Sequence, residues 1–494
     1  MSFLGKSYLS PMENINKKIT VGVFWNLANL FMARGSSTIF ILFLARLLAP
    51  EAFGLVAMVA VLFELSNAFI NSGFGAALIR AKTVSRLDLN TVFYTNLLLS
   101  GAAYIALYFS APFIAGFYDQ PELASLVKVM GLVVFINAAK LVQTAVLSRE
   151  MDFKSQMKAN TLGVVVSGCM AVFAAWSGWG VWSLVVQMLT SALVSAFVLW
   201  SVSQWRPALQ FSSESFIRLF SFGKNLLLEG ILIVLLRNSY LLVIGKFFSA
   251  EVTGLYFFAK KINDLISMQL TEAVKQATFP ALSTLQNENS VLREKYRQIL
   301  QLTMFLIAPI MALLAALAPV MFDLLFDDRW AKAVIYLQLL CVVGCLYPLH
   351  SLNVNLLNVK GRSDLVLKVG FVKKATNLVL LFLAIPYGVI GIVLSQVIGS
   401  VLALAPNTYY SVRLVEYSFA AQFKDVIRPI LAALFSACVS WLIVERAAES
   451  SFGSFFMAAS IGLVVYFLVS IIIRSESALF LLDKIKSSLV KTGH

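Results

Sequence analysis

Apolar residues run along this chain in blocks of twenty or so, with short polar breaks between them. A helix of about 20 residues rises roughly 30 Å, enough to cross the hydrocarbon layer of a bilayer. The blocks cover 21–45, 52–79, 88–110, 124–147, 158–177, 180–202, 219–245, 252–280, 296–318, 331–357, 365–385, 388–412, 426–444 and 453–473. They predict an all-α integral membrane protein of about fourteen transmembrane helices. Open sheets would leave edge N–H and C=O groups unpaired in lipid, whereas helices satisfy their own backbone.

Composition agrees: 60% of the 494 residues are hydrophobic and 13% are charged. Lipid is therefore the main solvent, and no soluble domain of ordinary size fits between the blocks. The formal charge of +14 suggests nucleic acid only until the cations are placed. They sit in short clusters between apolar blocks, which is a topology signal, and no nucleic-acid partner is expected. Arg80, Lys82 and Arg86, then Arg149, Lys154 and Lys158, then Arg293, Lys295 and Arg297 mark one side; the alternate loops hold only Arg46, Lys246, Arg329, Lys332 and Arg446. Lys6, Lys17 and Lys18 near the start, and Lys484, Lys486 and Lys491 near the end, fall in the rich set, so both termini are expected in the cytoplasm. The first span is expected to stay in place rather than to be cleaved. Cys169, Cys341, Cys345 and Cys438 all lie in apolar blocks and are expected to pack.

The chain also repeats itself. Arg46-Leu47-Leu48-Ala49-Pro50-Glu51-Ala52-Phe53-Gly54-Leu55 lines up with Lys246-Phe247-Phe248-Ser249-Ala250-Glu251-Val252-Thr253-Gly254-Leu255, and Glu64 then falls opposite Asp264. Phe117-Tyr118-Asp119 answers Phe326-Asp327-Asp328, and Trp179-Gly180-Val181 answers Tyr387-Gly388-Val389. The expected organisation is a cytoplasmic segment 1–20, an N-lobe 21–205 of helices one to six, a C-lobe 206–413 of helices seven to twelve, two further helices within 414–474, and a cytoplasmic amphipathic tail 475–494. Six is even, so the repeats are parallel, and a substrate site is expected between such halves.

Leu44 through Met58, Arg149-Glu150-Met151-Asp152-Phe153-Lys154, Phe279 through Gln286 and Leu337 through Gly344 resemble the Wzx-type polysaccharide exporters and lipid-linked oligosaccharide flippases of the multidrug/oligosaccharidyl-lipid/polysaccharide superfamily. The last of these stretches looks most like the colanic-acid-type branch, and the resemblance runs from about residue 17 to 474. It implies a fold similar to the multidrug-extrusion transporters. It also implies a flippase that carries undecaprenyl-diphosphate-linked oligosaccharide from the cytoplasmic to the outer leaflet of a bacterial inner membrane by alternating access, for exopolysaccharide or O-antigen synthesis. Membrane lipid and polysaccharide polymerase machinery are the partners it implies, with no cofactor.

Charges inside the blocks point to the site. A charged group at the centre of a lipid-facing helix costs about 2.5–3.5 kcal/mol on insertion scales, so such groups are expected to face protein or water. Lys261, Asp264, Met268, Glu272 and Lys275 trace one stripe of the eighth helix, and Glu64, Asn67 and Asn71 a weaker one on the second. Arg34, Arg237, Lys260 and Lys261 are the expected ligands of an anionic head group, with Lys140 and Lys373 behind them. Glu64, Glu229, Asp264 and Glu272 are candidates for coupling to protons or Na⁺; the competing reading is that acids such as Asp264 and Glu272 balance Lys260 and Lys275 within one helix.

Other signals carry less. Gly73-Phe74-Gly75 lacks the strand-turn-helix setting of a phosphate loop, His350 reads as a buried polar or pore-lining group, and Asp327-Asp328-Arg329 as a solvated turn rather than a metal site. The chain is not expected to be an enzyme. A multidrug or cation antiporter of the same fold is the runner-up, disfavoured because cationic drugs prefer acidic and aromatic walls. The topology is checked by a reporter fused after residue 494: a cytoplasmic-only reporter is expected to be active there, and a periplasmic-only one silent.

Overall fold

The computed structural model describes residues 32, 35–70, 74–81, 83–447 and 451–479, with side chains for all of these except 69, 70 and 222–229. The described chain is nearly all helix: α1 (Gly35–Leu47), α2 (Pro50–Ile70), α3 (Phe74–Arg80), α4 (Arg86–Tyr118), α5 (Glu122–Met130), α6 (Leu132–Arg149), α7 (Phe153–Trp176), α8 (Trp182–Val202), α9 (Ser213–Arg237), α10 (Ser239–Phe247), α11 (Ala250–Thr284), α12 (Asn289–Leu325), α13 (Ala333–Val359), α14 (Ser363–Ala384), α15 (Gly388–Leu402), α16 (Leu404–Val415), α17 (Phe419–Glu445) and α18 (Phe452–Ile472). The described parts of the fourteen apolar blocks fall mainly on helix. Eleven segments of the described residues are long and apolar enough to cross a membrane. One of these, Ser363–Val415, turns back through Ile385–Tyr387 and so holds two spans; α1 is the described part of the first block; and α11 misses the apolar threshold because of its charges. The predicted tail 475–494 lies mostly outside the described residues.

Helix ends follow local chemistry. Ser85 accepts from the Asp88 amide while Asp88 accepts from the Ser85 amide, a capping box that starts α4. Asp152, Ser212, Ser418 and Ser451 cap α7, α9, α17 and α18 in the same N-terminal role. Arg149 donates to the Leu78, Ile79 and Ala81 carbonyls at 2.5, 3.2 and 2.7 Å, closing the C-terminal end of α3 from a position 68–71 residues away.

The chain divides into two compact units, Met1–Gly254 and Leu255–His494. In the first, Met58, Phe63, Phe74, Leu126, Met130 and Val142 centre a core that draws on α2 to α6. Its α9 and α10 carry the second copy of the repeat up to Gly254. Gly54 and Gly254 occupy matching repeat positions, and they meet each other's helices reciprocally. A Cβ at Gly54 would lie 1.7 Å from the Ala250 carbonyl oxygen, and one at Gly254 would lie 1.8 Å from the Pro50 carbonyl oxygen. Only glycine allows this backbone-on-backbone crossing. Lys246, just upstream, donates to the Phe117 carbonyl at 2.5 Å and approaches Asp119 at 3.5 Å, so the turn before α11 is tied to the end of α4.

In the second unit, Tyr296, Leu300, Met304, Leu352, Leu356 and Tyr417 form one core cluster, and Phe305, Ala433 and Tyr466 centre another. Small polar residues bring α17 and α18 together: Ser436 donates to the Gly462 carbonyl at 2.5 Å and Ser440 to the Ala458 carbonyl at 2.9 Å. Large apolar side chains such as Phe113, Phe197 and Phe371 stay more than 70% exposed, which in a membrane helix means contact with lipid.

Gly54→Ala or Gly254→Ala is expected to cost about 3 kcal/mol, because neither carbonyl can retreat without shifting a helix. The check is the yield of monodisperse protein on size exclusion. Gly101→Ala, whose Cβ would meet nothing within 4 Å, is expected to behave as wild type.

Candidate functional site: charges within the membrane helices

In the first unit the charged site gathers at a break in a helix. Block 219–245 is not one helix: α9 ends at Arg237, Asn238 leaves helical geometry with φ −100 and ψ 6, and α10 resumes at Ser239. Glu64, on α2, meets that break. Its Oε2 accepts from Arg237 at 2.6 Å and from the Asn238 amide at 2.8 Å, while the same Asn238 amide donates to the Val234 carbonyl at 3.0 Å. Both charged side chains lie within membrane-crossing segments, yet Arg237 is 53% and Glu64 43% exposed. Where that surface meets water, a pair so open is worth about 0.2–1 kcal/mol, whereas leaving one partner of a buried pair alone costs about 3–5 kcal/mol. Facing a water-filled space, it can be exchanged for another partner at small cost.

One turn along α2, Asn67 accepts from the Asn137 amide of α6 at 3.2 Å. Lys140, on the same helix, donates to Ser195 of α8 at 2.9 Å. Among the described residues no carboxylate pairs with Lys140.

In the second unit α11 shows two polar faces. Asn263, Ser267 and Thr271 are buried, with Ser267 and Thr271 returning their hydroxyls to the carbonyls one turn back at 2.9 and 2.7 Å. Gly344 of α13 accommodates Asn263, whose Oδ1 would sit 2.2 Å from a Cβ there. The charged residues flank this buried face. Lys260 donates to Asp264, which also accepts from the Asn263 amide at 3.1 Å. Lys275 donates to Glu272 at 2.9 Å, and Tyr347 and Ser351 of α13 approach the same carboxylate at 3.4 Å. The in-helix balancing of Lys260 and Lys275 is thus what forms. Lys261 is exposed and lies 5.5 Å from the Phe257 ring, and among the described residues it has no carboxylate partner. Nor does Lys373, half-buried on α14.

The structure therefore sorts the expected cations into two kinds. Arg237 and Lys260 are held by carboxylates; Lys140, Lys261 and Lys373 are not. Arg34 lies outside the described residues, and so does the Glu229 side chain, although its backbone belongs to α9.

Residues 43–335, more than half of the chain, match the polysaccharide biosynthesis protein family. The chain belongs to that family. Its resemblance to the Wzx-type exporters stands on relatives as well. It is 25% identical to the lipopolysaccharide biosynthesis protein WzxC of Escherichia coli (strain K12), over 78% of this chain and 77% of that protein. It is 28% identical to the succinoglycan biosynthesis transport protein ExoT of Rhizobium meliloti (strain 1021), over 69% of each, and 26% identical to the teichuronic acid biosynthesis protein TuaB of Bacillus subtilis (strain 168), over 73% of this chain and 76% of that one. Among solved structures, the lipid II flippase MurJ in an inward closed conformation superposes with a TM-score of 0.75 at 14% identity, covering 92% of this chain and 99% of that chain. An inward-facing multidrug resistance transporter of the MATE family gives 0.58 at 16% identity, covering 80% and 96%. The fold of this polysaccharide-family membrane transporter is thus the one shared by MurJ and the multidrug-extrusion transporters.

Three polar assemblies of this exporter lie apart from the expected cations, and of these the one around Arg297 had no sequence signal beyond its residue types. His350 is buried, with Ser400 at 3.0 Å from Nε2 and Asn407 at 2.6 Å from Nδ1. Both ring nitrogens have polar partners, as a buried polar group requires. Arg297 donates twice to Asp425, at 2.8 and 3.2 Å, and also bonds Glu476; Gln301 and Tyr417 add bonds to Asp425 at 3.0 and 2.6 Å. This network joins α12, α17 and the segment beyond α18. Burial and the bond to Asp425 push the Tyr417 hydroxyl well above the usual phenol range, so it stays a donor. Asp327 accepts from the Arg329 amide and guanidinium, and Arg329 holds its carboxyl below the usual range. That carboxylate serves as a cap for the turn at Asp328–Trp330.

The Arg297 network is checked by Asp425→Asn. It removes the charge that Arg297, Gln301 and Tyr417 share, and is expected to lower the melting temperature of the purified protein by several degrees, as a loss of about 1.5–3 kcal/mol requires.

Proposed function

We propose that this protein is a flippase that moves undecaprenyl-diphosphate-linked oligosaccharide from the cytoplasmic to the outer leaflet of a bacterial inner membrane, by exposing its charged helix faces alternately to the two sides. In this reading residues 21–205 and 206–413 are the repeats that change conformation, both termini are cytoplasmic, polysaccharide polymerase machinery receives the cargo, and no covalent step occurs. The product serves exopolysaccharide or O-antigen synthesis, the setting that the names of WzxC and ExoT indicate for those relatives.

The observation that carries the reading is the surplus of intramembrane cations. Lys140, Lys261 and Lys373 stand on three helices with no carboxylate among the described residues, a costly arrangement in lipid unless an anion or water meets them. A diphosphate supplies several anionic oxygens at once, and its charge-assisted hydrogen bonds are about twice as strong as neutral ones. Arg34, Arg237 and Lys260 complete the expected head-group ligands. A cationic drug would meet repulsion from the same set, which ranks the antiporter reading second.

The test compares cells lacking the gene with cells carrying Lys140→Gln/Lys261→Gln/Lys373→Gln. Both are expected to accumulate lipid-linked glycan on the cytoplasmic side and to lose at least about 90% of exported polysaccharide, as a loss of 1.4 kcal/mol or more in head-group binding implies. Wild-type export by a triple variant present at wild-type level would overturn the assignment.

A further inference from the structure

The two repeats place a carboxylate at the same position, and each holds a cation together with an asparagine amide. In the first unit Glu64 binds Arg237 and Asn238. In the second, Asp264 binds Lys260 and Asn263. Glu64 and Asp264 lie opposite one another in the repeat alignment, yet their cations come from different places: Arg237 from a helix 173 residues away, Lys260 from the preceding turn of the same helix. What recurs is the carboxylate–cation–amide set.

We propose that Glu64 and Asp264 are exchangeable counterions: each keeps its cation in reserve while the transporter is empty and yields it to the anionic head group of the cargo. The inference rests on the flippase reading and goes beyond it, because it gives the carboxylates a role in substrate binding and release in place of ion coupling.

Three features support exchange over a fixed structural bridge. The Glu64–Arg237 pair is about half exposed on both sides and Lys260 and Asp264 each keep 30% of their side-chain surface, so an anion can reach the cations without opening a core. Each carboxylate has a second donor, Asn238 at 2.8 Å or Asn263 at 3.1 Å, so it remains hydrogen-bonded once its cation has left. At Glu64 both donors reach the single oxygen Oε2, at the point where α9 gives way to α10. Loss of Arg237 from that oxygen therefore loosens the contact between α2 and the helix break, which links occupancy of the cation to the geometry of the site.

Exchange makes an unusual prediction: removing an acid improves binding. Full-length protein in nanodiscs is titrated with undecaprenyl diphosphate, with undecaprenol as the uncharged control. Glu64→Gln is expected to tighten the diphosphate lipid about two- to fivefold, the factor a half-exposed ion pair withholds, and to slow export. Arg237→Gln is expected to weaken it, and Glu64→Gln/Arg237→Gln to match Arg237→Gln alone, because the acid acts only through the cation. Asp264→Asn against Lys260→Gln repeats the comparison in the second unit and answers the question should a Glu64 variant fail to fold. Acid variants that bind as wild type or more weakly, or an additive double variant, would overturn the exchange while leaving the flippase reading intact. Wild-type protein that discriminates against neither lipid would overturn both.

Discussion

Lipid solvates neither a bare peptide group nor a lone charge, and most of this structure follows from that constraint. The backbone answers it by folding into helices whose ends are closed by Ser85, Asp152, Ser212, Ser418 and Ser451, or by the Arg149 guanidinium at α3. The side chains answer it in two ways. Some charges neutralise one another at short range, as in Lys260 with Asp264 and Lys275 with Glu272. Others, Lys140, Lys261 and Lys373, are left without an acid among the described residues, and the diphosphate-linked cargo proposed above would supply the anion they lack.

The same constraint explains why the repeat is most visible where helices cross. Gly54 and Gly254 meet the backbone of Ala250 and Pro50 reciprocally, so neither position tolerates a side chain. The surrounding pattern of a basic residue, two bulky apolar residues and Glu then follows the crossing, with Lys246 fastened to the Phe117 carbonyl and Asp119. Apolar stretches elsewhere need only remain apolar, and there the two copies match less closely.

Much of the fold was legible in the sequence, because block length alone distinguishes a membrane helix from other elements. The α11 stripe was also legible, since Lys260 and Asp264 are four residues apart on one helix. What escaped was everything that depends on distant partners. The break at Asn238 has no proline or glycine to announce it, and the Glu64 carboxylate that meets it lies far away in the chain. Lys140 could be marked as an unusual charge, but its Ser195 partner sits on another helix. His350 read equally well as a buried or a pore-lining group until Ser400 and Asn407 were seen to occupy both nitrogens. The Arg297 network joins residues from three parts of the chain and carries no local spacing at all.

In the proposed flippase, intramembrane cations hold a diphosphate-linked lipid. Native mass spectrometry of the protein extracted from its own membrane tests it most directly, since bound lipid is weighed with the chain. A lipid of polyprenyl-diphosphate mass is expected to stay on the wild type and to be absent when Lys140, Lys261 and Lys373 are all glutamine. Equal retention by both proteins, or retention of ordinary phospholipid alone, would contradict it.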